Sequence, residues 1–146
     1  MKVFYVCRTG YHTSLLAACL HLGRLNHNSA DAKEIYRISG YDKYYRDDVG
    51  KPFLAGIDEN DAEVYTLGVT GENHLMIRAA GELIALMGVS PGDWRFVDTS
   101  GISSKWTFIG QLSGKLHLKT LSKVFFYFGA RKELPRLKDV VCRKNR

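Results

Sequence analysis

The sequence predicts an α/β fold: a single-domain, three-layer sandwich built on a mixed, mostly parallel sheet of about five strands, with helices on its faces. Three observations predict it. A short β-branched and aromatic run at the start gives way, through a polar glycine-containing loop, to apolar residues at helical spacing. Two further short apolar runs joined by Glu59, Asn60 and Asp61 read as a β-hairpin, which supplies an antiparallel part. A strand reaching Asp98 then follows a long helical stretch and restores the strand and helix alternation.

Lys2 to Cys7 (KVFYVC) is the first strand. From Thr13 the apolar positions Leu15, Leu16, Ala18, Cys19, Leu22 and Leu25 recur at three- and four-residue steps, so a helix follows and the opening is P-loop-like. Asn26 to Lys51 is polar, with a short helical pattern at Ala32 to Ile38 and then Tyr41, Tyr44 and Tyr45 among charges. Phe53 to Asp58 and Glu63 to Gly68 are the hairpin strands. Thr70 is placed to cap a helix whose face Leu75, Met76, Ala79, Ala80, Leu83 and Met87 points inward, and Gly88 is placed to end it. After the turn Ser90-Pro91-Gly92-Asp93, Trp94 to Val97 is the fourth strand, with Asp98-Thr99-Ser100-Gly101 at its carboxyl end. A helix is expected from Ser104 to Leu116, with Trp106, Ile109, Leu112 and Leu116 on one side, then a fifth strand from Leu121 to Phe128. The tail is expected to be helical after Pro135, because proline is tolerated in a first turn and breaks an interior.

The 146 residues fit one domain, 1–146, with 45% hydrophobic and 25% charged residues, which excludes disordered, fibrous and collagenous classes. Apolar runs such as Leu15 to Leu20 and Val124 to Phe128 are too short to span a bilayer. The start lacks the features of a secretory signal, so a cytoplasmic setting is expected. Cys7, Cys19 and Cys142 are odd in number and have no Cys-x-x-Cys spacing, which argues against a disulfide framework or a cysteine zinc site. His21, His27, His74 and His117 form no metal-ligand spacing, and no metal or other cofactor is expected.

The net charge of +6 is unevenly placed: residues 1–101 hold 10 basic and 13 acidic side chains, residues 102–146 hold 11 and 2. The whole basic excess is in the last third. That asymmetry suits an anionic partner, such as nucleic acid or an acidic protein bound through Lys105 to Arg146, and equally suits a solvated basic surface. The aromatic run Phe125, Phe126, Tyr127 and Phe128 reads as a core strand and not as a base-stacking platform.

The segment with the most chemistry is Cys7-Arg8-Thr9-Gly10-Tyr11-His12-Thr13-Ser14, between the first strand and the first helix. In open α/β sheets ligands bind at such carboxyl ends. Gly10 permits a left-handed turn, and the amides at the helix start are unpaired donors backed by a partial positive charge. Thr9, Thr13 and Ser14 add hydroxyls, and Arg8 and His12 can add charge. The loop is no Walker A motif, lacking its second glycine and lysine, and Thr13 stands where a low-molecular-weight tyrosine phosphatase has its arginine. It resembles instead the loop of cysteine-phosphorylated IIB proteins of the sugar phosphotransferase system, in Cys7, Gly10, Thr13, Ser14, Leu15 and Leu16. That resemblance implies a cysteine that takes up a phosphoryl group. Cys7 also fits a small buried strand residue, and His12 fits either a proton shuttle or a packed loop residue. Asp98, with Thr99 and Ser100, is a second candidate, as a carboxylate beside the loop or as a turn former.

Over its whole length the chain resembles an uncharacterised family of Firmicutes proteins catalogued as domain of unknown function 3189. The likeness runs through Gly10-x-His12-Thr13-Ser14, Ala17-Ala18, His21-Leu22, Gly56-x-Asp58-Glu59, Val64-Tyr65-x-Leu67-Gly68, Val97-Asp98-Thr99, Ile109-Gly110 and Gly129. It implies a bacterial protein, brings no established activity, and moves weight from Cys7 toward His12, Thr13 and Ser14. The expected function is binding of a phosphate-bearing small molecule or nucleotide at the first loop, with phosphoryl-transfer or hydrolytic chemistry there. The alternative is a non-enzymatic adaptor acting through the basic third.

Overall fold

Alternation in Lys2–Cys7 (β1) sends Val3, Tyr5 and Cys7 to one face of a sheet and Phe4 and Val6 to the other. The structure, a computed structural model, describes residues 1–25, 49–102 and 119–144. After β1 come α1 (Thr13–His21), β2 (Pro52–Ile57), β3 (Glu63–Gly68), α2 (Asn73–Leu86), β4 (Trp94–Asp98), a 3-10 turn (Ser100–Ile102) and α3 (Lys119–Lys144). The strand order is β2-β3-β1-β4. β1 lies parallel to both β3 and β4, and β2 closes an antiparallel hairpin on β3. The mixed α/β sheet with its hairpin is the one the sequence predicts. Among the described residues it has four strands and not five.

The missing strand is helix. Leu121 to Phe128 forms the first part of α3, and Pro135 lies inside that helix instead of starting it. The aromatic run has strand propensity, but Ala130, Leu134, Leu137 and Val141 repeat at helical spacing and bury in the core beside Leu16 and Ala17 of α1. Docking of that half carries the helix through the proline, which sits on the exposed side. The predicted segments Ala32 to Ile38 and Ser104 to Leu116, with Lys105 and Lys115, lie outside the described residues, as do Tyr41, Tyr44 and Tyr45.

One face of the sheet buries Val3, Tyr5, Val64 and Val97 with residues of α1 and α3. A polar chain crosses this layer: Tyr5 Oη is 2.9 Å from His21 Nδ1, and His21 Nε2 is 3.0 Å from Asp58 Oδ2. Asp58 also accepts the amides of Asn60 and Ala62 at 2.8 Å each, so one carboxylate shapes the hairpin turn and anchors the end of α1. On the other face Phe4 lies between Tyr65 and Phe96, with ring centroids 5.0 Å away on both sides.

α2 packs on that second face in a rotation other than the predicted one. A Cβ on Gly81 would lie 2.9 Å from the Trp94 ring, so only glycine admits the indole there. This turns Ile77, Ala80 and Ile84 toward the sheet and leaves Leu75, Met76, Ala79, Leu83 and Met87 exposed. The helix is apolar around most of its circumference, so spacing alone does not choose the packed side. Its start is Asn73 after Glu72, not Thr70, because Gly71 has φ 102, outside helical space; Gly88, at φ 78, ends it as predicted. No helix among the described residues is long and apolar enough to cross a membrane.

Candidate functional site

The connection after β1 enters α1 on one face of the sheet, whereas the connection after β3 enters α2 on the other. The carboxyl ends of these adjacent parallel strands are therefore a topological switch point, the place where open α/β sheets commonly bind ligands. Two glycines let the first loop settle there. Gly10 has φ 78, and a Cβ on it would lie 2.7 Å from the Gly68 amide nitrogen; a Cβ on Gly68 would lie 2.8 Å from the Thr9 carbonyl. The loop thus lies on the end of β3 with no side chain between. Val69 N continues the ladder to the Cys7 carbonyl at 2.9 Å.

This path wraps the loop around the Cys7 sulfur. The Gly10 amide donates to Sγ at 3.2 Å, Ser14 Oγ is 3.1 Å from it and Thr9 Oγ1 is 3.8 Å away. Burial alone would push the thiol up; hydrogen bonds from the Ser14 hydroxyl and from the amides of Ser14, His12 and Thr9 outweigh it and hold the thiol below its ordinary value. The donors at the start of α1 therefore converge on a group that the chain itself supplies, the buried Cys7 sulfur. Of the loop residues, Gly10, His12, Thr13 and Ser14 are buried, Thr9 and Tyr11 are half-buried and Arg8 is exposed.

Thr99, not Asp98, reaches this cluster. Its hydroxyl bonds the Val6 carbonyl at 2.8 Å and lies 3.1 Å from Thr13 Oγ1, tying the end of β4 to the start of α1. Asp98 pairs in register with Val6 and so faces the other side of the sheet from Cys7. Its Oδ1 accepts the Ser100 amide at 2.9 Å and is 3.5 Å from Asn73 Nδ2, beside the start of α2. At the rim of the loop the Tyr11 ring lies 5.6 Å from the exposed Phe53 ring.

His12 connects the loop to the far end of the sequence. Its Nδ1 is 3.6 Å from Glu133 Oε2, and both residues are buried. Burial lowers the His12 pKa and the Glu133 carboxylate opposes that, with burial prevailing, so the imidazole is neutral at neutral pH. Glu133 was not among the residues singled out from the sequence. Its signal was present: it is the acidic residue within the apolar series Ala130, Leu134, Leu137 and Val141. Gly68 carried none beyond its place at a strand end and in the family likeness. Among the described residues no group of three or more His, Cys, Asp or Glu side chains is arranged to hold a metal ion.

A family described as "Protein of unknown function (DUF3189)" matches residues 2–145. The chain belongs to this family. No curated protein and no solved structure shows significant similarity to it. The geometry of this DUF3189 chain is therefore the ground on which its chemistry is read. The loop glycine, histidine and hydroxyls that carry the resemblance, Gly10, His12, Thr13 and Ser14, all lie around Cys7 or tie its loop in place.

Proposed function

We propose that the first loop is a thiolate centre that takes a phosphate-bearing small molecule or nucleotide, with Cys7 as its nucleophile. The observation that carries this reading is the convergence of the Ser14 hydroxyl and the loop amides on Cys7 Sγ at the start of α1. Donors set around a sulfur anion are also placed for the charge that moves onto phosphoryl oxygens as that sulfur attacks. The thiolate lone pair forms an S–P bond while the P–O bond to the leaving group breaks; the leaving oxygen keeps the electron pair and takes a proton from water. Attack of water on the phosphocysteine then releases phosphate and restores the thiol.

Arg8, exposed beside the loop, is suited to the incoming phosphate, and Tyr11 with Phe53 offers ring surface to a nucleobase. His12, whose burial favours the neutral imidazole, is a positioning residue beside Glu133 and not a source of charge. Three free cysteines suit a reducing, cytoplasmic setting. Incubation with acetyl phosphate or p-nitrophenyl phosphate, acid-free quenching and peptide mass mapping should find one phosphoryl group on Cys7 and none on Cys7→Ser. Neither adduct nor thermal shift with any phosphorylated compound would refute the reading.

A second reading keeps the basic third as the working surface, because Arg131, Arg136 and Arg143 are exposed along α3. An adaptor for nucleic acid or an acidic protein would bind with steep salt dependence and be unaffected by Cys7→Ser.

A further inference from the structure

The outer side of α2 is an unusual surface. Leu75, Met76, Leu83 and Leu86, with Met87 just past the helix, are 59%, 50%, 60%, 84% and 73% exposed, and Ala79 between them is exposed as well. At 3.6 residues per turn these six positions fall within an arc of about 120°. They form one contiguous apolar stripe, of the sort that marks an interaction site.

The order of residues in the stripe says what fits it. Read about Gly81, the pattern is the same in both directions: Leu75 corresponds to Met87, Met76 to Leu86, and Ala79 to Leu83. An antiparallel copy of the same helix, related by a two-fold axis at Gly81, would set each of these residues against its counterpart. Each Leu83 would enter the space left by the partner's Ala79, which allows close approach of the two backbones. Charge agrees with this pairing. Arg78 and Glu82 border the stripe on one edge, and in the antiparallel arrangement the Arg78 of each copy stands about 3 Å along the axis from the other's Glu82, giving two opposite-charge pairs.

From this palindromic stripe we propose that the protein self-associates through α2, as a two-fold antiparallel helix pair with Leu83 seated against the partner's Ala79. The helix is about 21 Å long, less than a tightly bound dimer interface requires, so the dimer belongs to the weak end of the range.

Sedimentation velocity or light scattering over a concentration series of the full chain tests this. A reversible monomer–dimer equilibrium is expected. Leu83→Glu should weaken it about a hundredfold or more, since two leucines leave each interface. Arg78→Glu should weaken it less, and Arg78→Glu combined with Glu82→Arg should restore it. In a Cys142→Ser background, Ala79→Cys mixed with Leu83→Cys should yield a disulfide-linked heterodimer. All these positions are exposed, so folding, checked by circular dichroism, should be retained. A chain that stays monomeric at about 100 μM, or a dimer indifferent to Leu83→Glu, overturns the proposal and leaves the stripe to a different partner.

Discussion

Ser14→Ala removes the hydroxyl that lies 3.1 Å from Cys7 Sγ while leaving the Gly10 amide at 3.2 Å in place. Ser14 is fully buried, so water does not replace the lost group. A hydrogen bond to a charged partner contributes about 1.5–3 kcal/mol, and about 1.4 kcal/mol is tenfold in a protonation equilibrium. At a pH below the wild-type midpoint the thiolate population should therefore fall about ten- to a hundredfold. Because Cys7 is buried, ionisation is best separated from access by following thiolate ultraviolet absorbance against pH, with Cys7→Ser as the blank. Cys19, whose thiol burial pushes up to about 11, provides a reference within the same chain. The same shift has a stability counterpart. A thiol that ionises at lower pH in the folded state than in the unfolded one adds stability that is fully present above the unfolded value of about 8.5. It is lost as the pH falls through the folded value, and Ser14→Ala should shrink it. A Cys7 midpoint at or above the ordinary thiol value of about 8.5, or one that Ser14→Ala leaves in place, would refute the cradle as the cause.

Gly68→Ala puts a methyl group 2.8 Å from the Thr9 carbonyl, which should cost about 1–3 kcal/mol in urea unfolding and also weaken Cys7 ionisation. Unchanged stability would show that the loop does not rest on β3 as described. His21→Ala leaves the Tyr5 hydroxyl and Asp58 without their shared partner and should cost about 2–4 kcal/mol, read from the denaturation midpoint. For Asp58, burial raises the pKa but the Ala62 and Asn60 amides and His21 prevail and lower it. Its contribution is present above the unfolded carboxylate value and lost as pH falls through the folded one, so His21→Ala should show less acid loss than wild type. Glu133→Gln removes the group that opposes burial at His12. By NMR titration the imidazole should then hold its neutral form to lower pH, and acid destabilisation, which sets in below the unfolded histidine value of about 6.5, should deepen. An unmoved His12 titration would mean that Glu133 does not act on it.

The opening strand, loop and helix, the hairpin and β4 were legible because each is local: KVFYVC is β-branched and aromatic, Glu59 to Asp61 turns, and Gly88 stops a helix. α3 was not, since Phe125 to Phe128 has strand character and only docking of Leu134 and Leu137 beside α1 settles it as helix. The rotation of α2 was hidden by apolar residues on both its sides and is set by the fit of Trp94 against Gly81. At the site, the residue types were legible and their arrangement was not. An amide-rich loop reads as a place for an external anion, whereas the path fixed by Gly10 and Gly68 turns the donors onto Cys7. Thr99 and Glu133 reach the loop from far along the chain, which local spacing does not reveal.

The central position of β1 ties the chemistry of Cys7 to the completion of folding. Lys2 pairs with Glu63 on one side and Trp94 on the other, Thr13 meets Thr99, and His12 meets Glu133. The groups around Cys7 are its sequence neighbours, but the residues that hold their loop in place, Gly68, Thr99 and Glu133, lie far along the chain, and such long-range closures are slow. A partly folded chain, with the loop not yet seated on β3, therefore lacks the arrangement of donors around Cys7. The acidity of Cys7 is a late-acquired property, and its appearance during refolding would time the final assembly of the sheet and its helices.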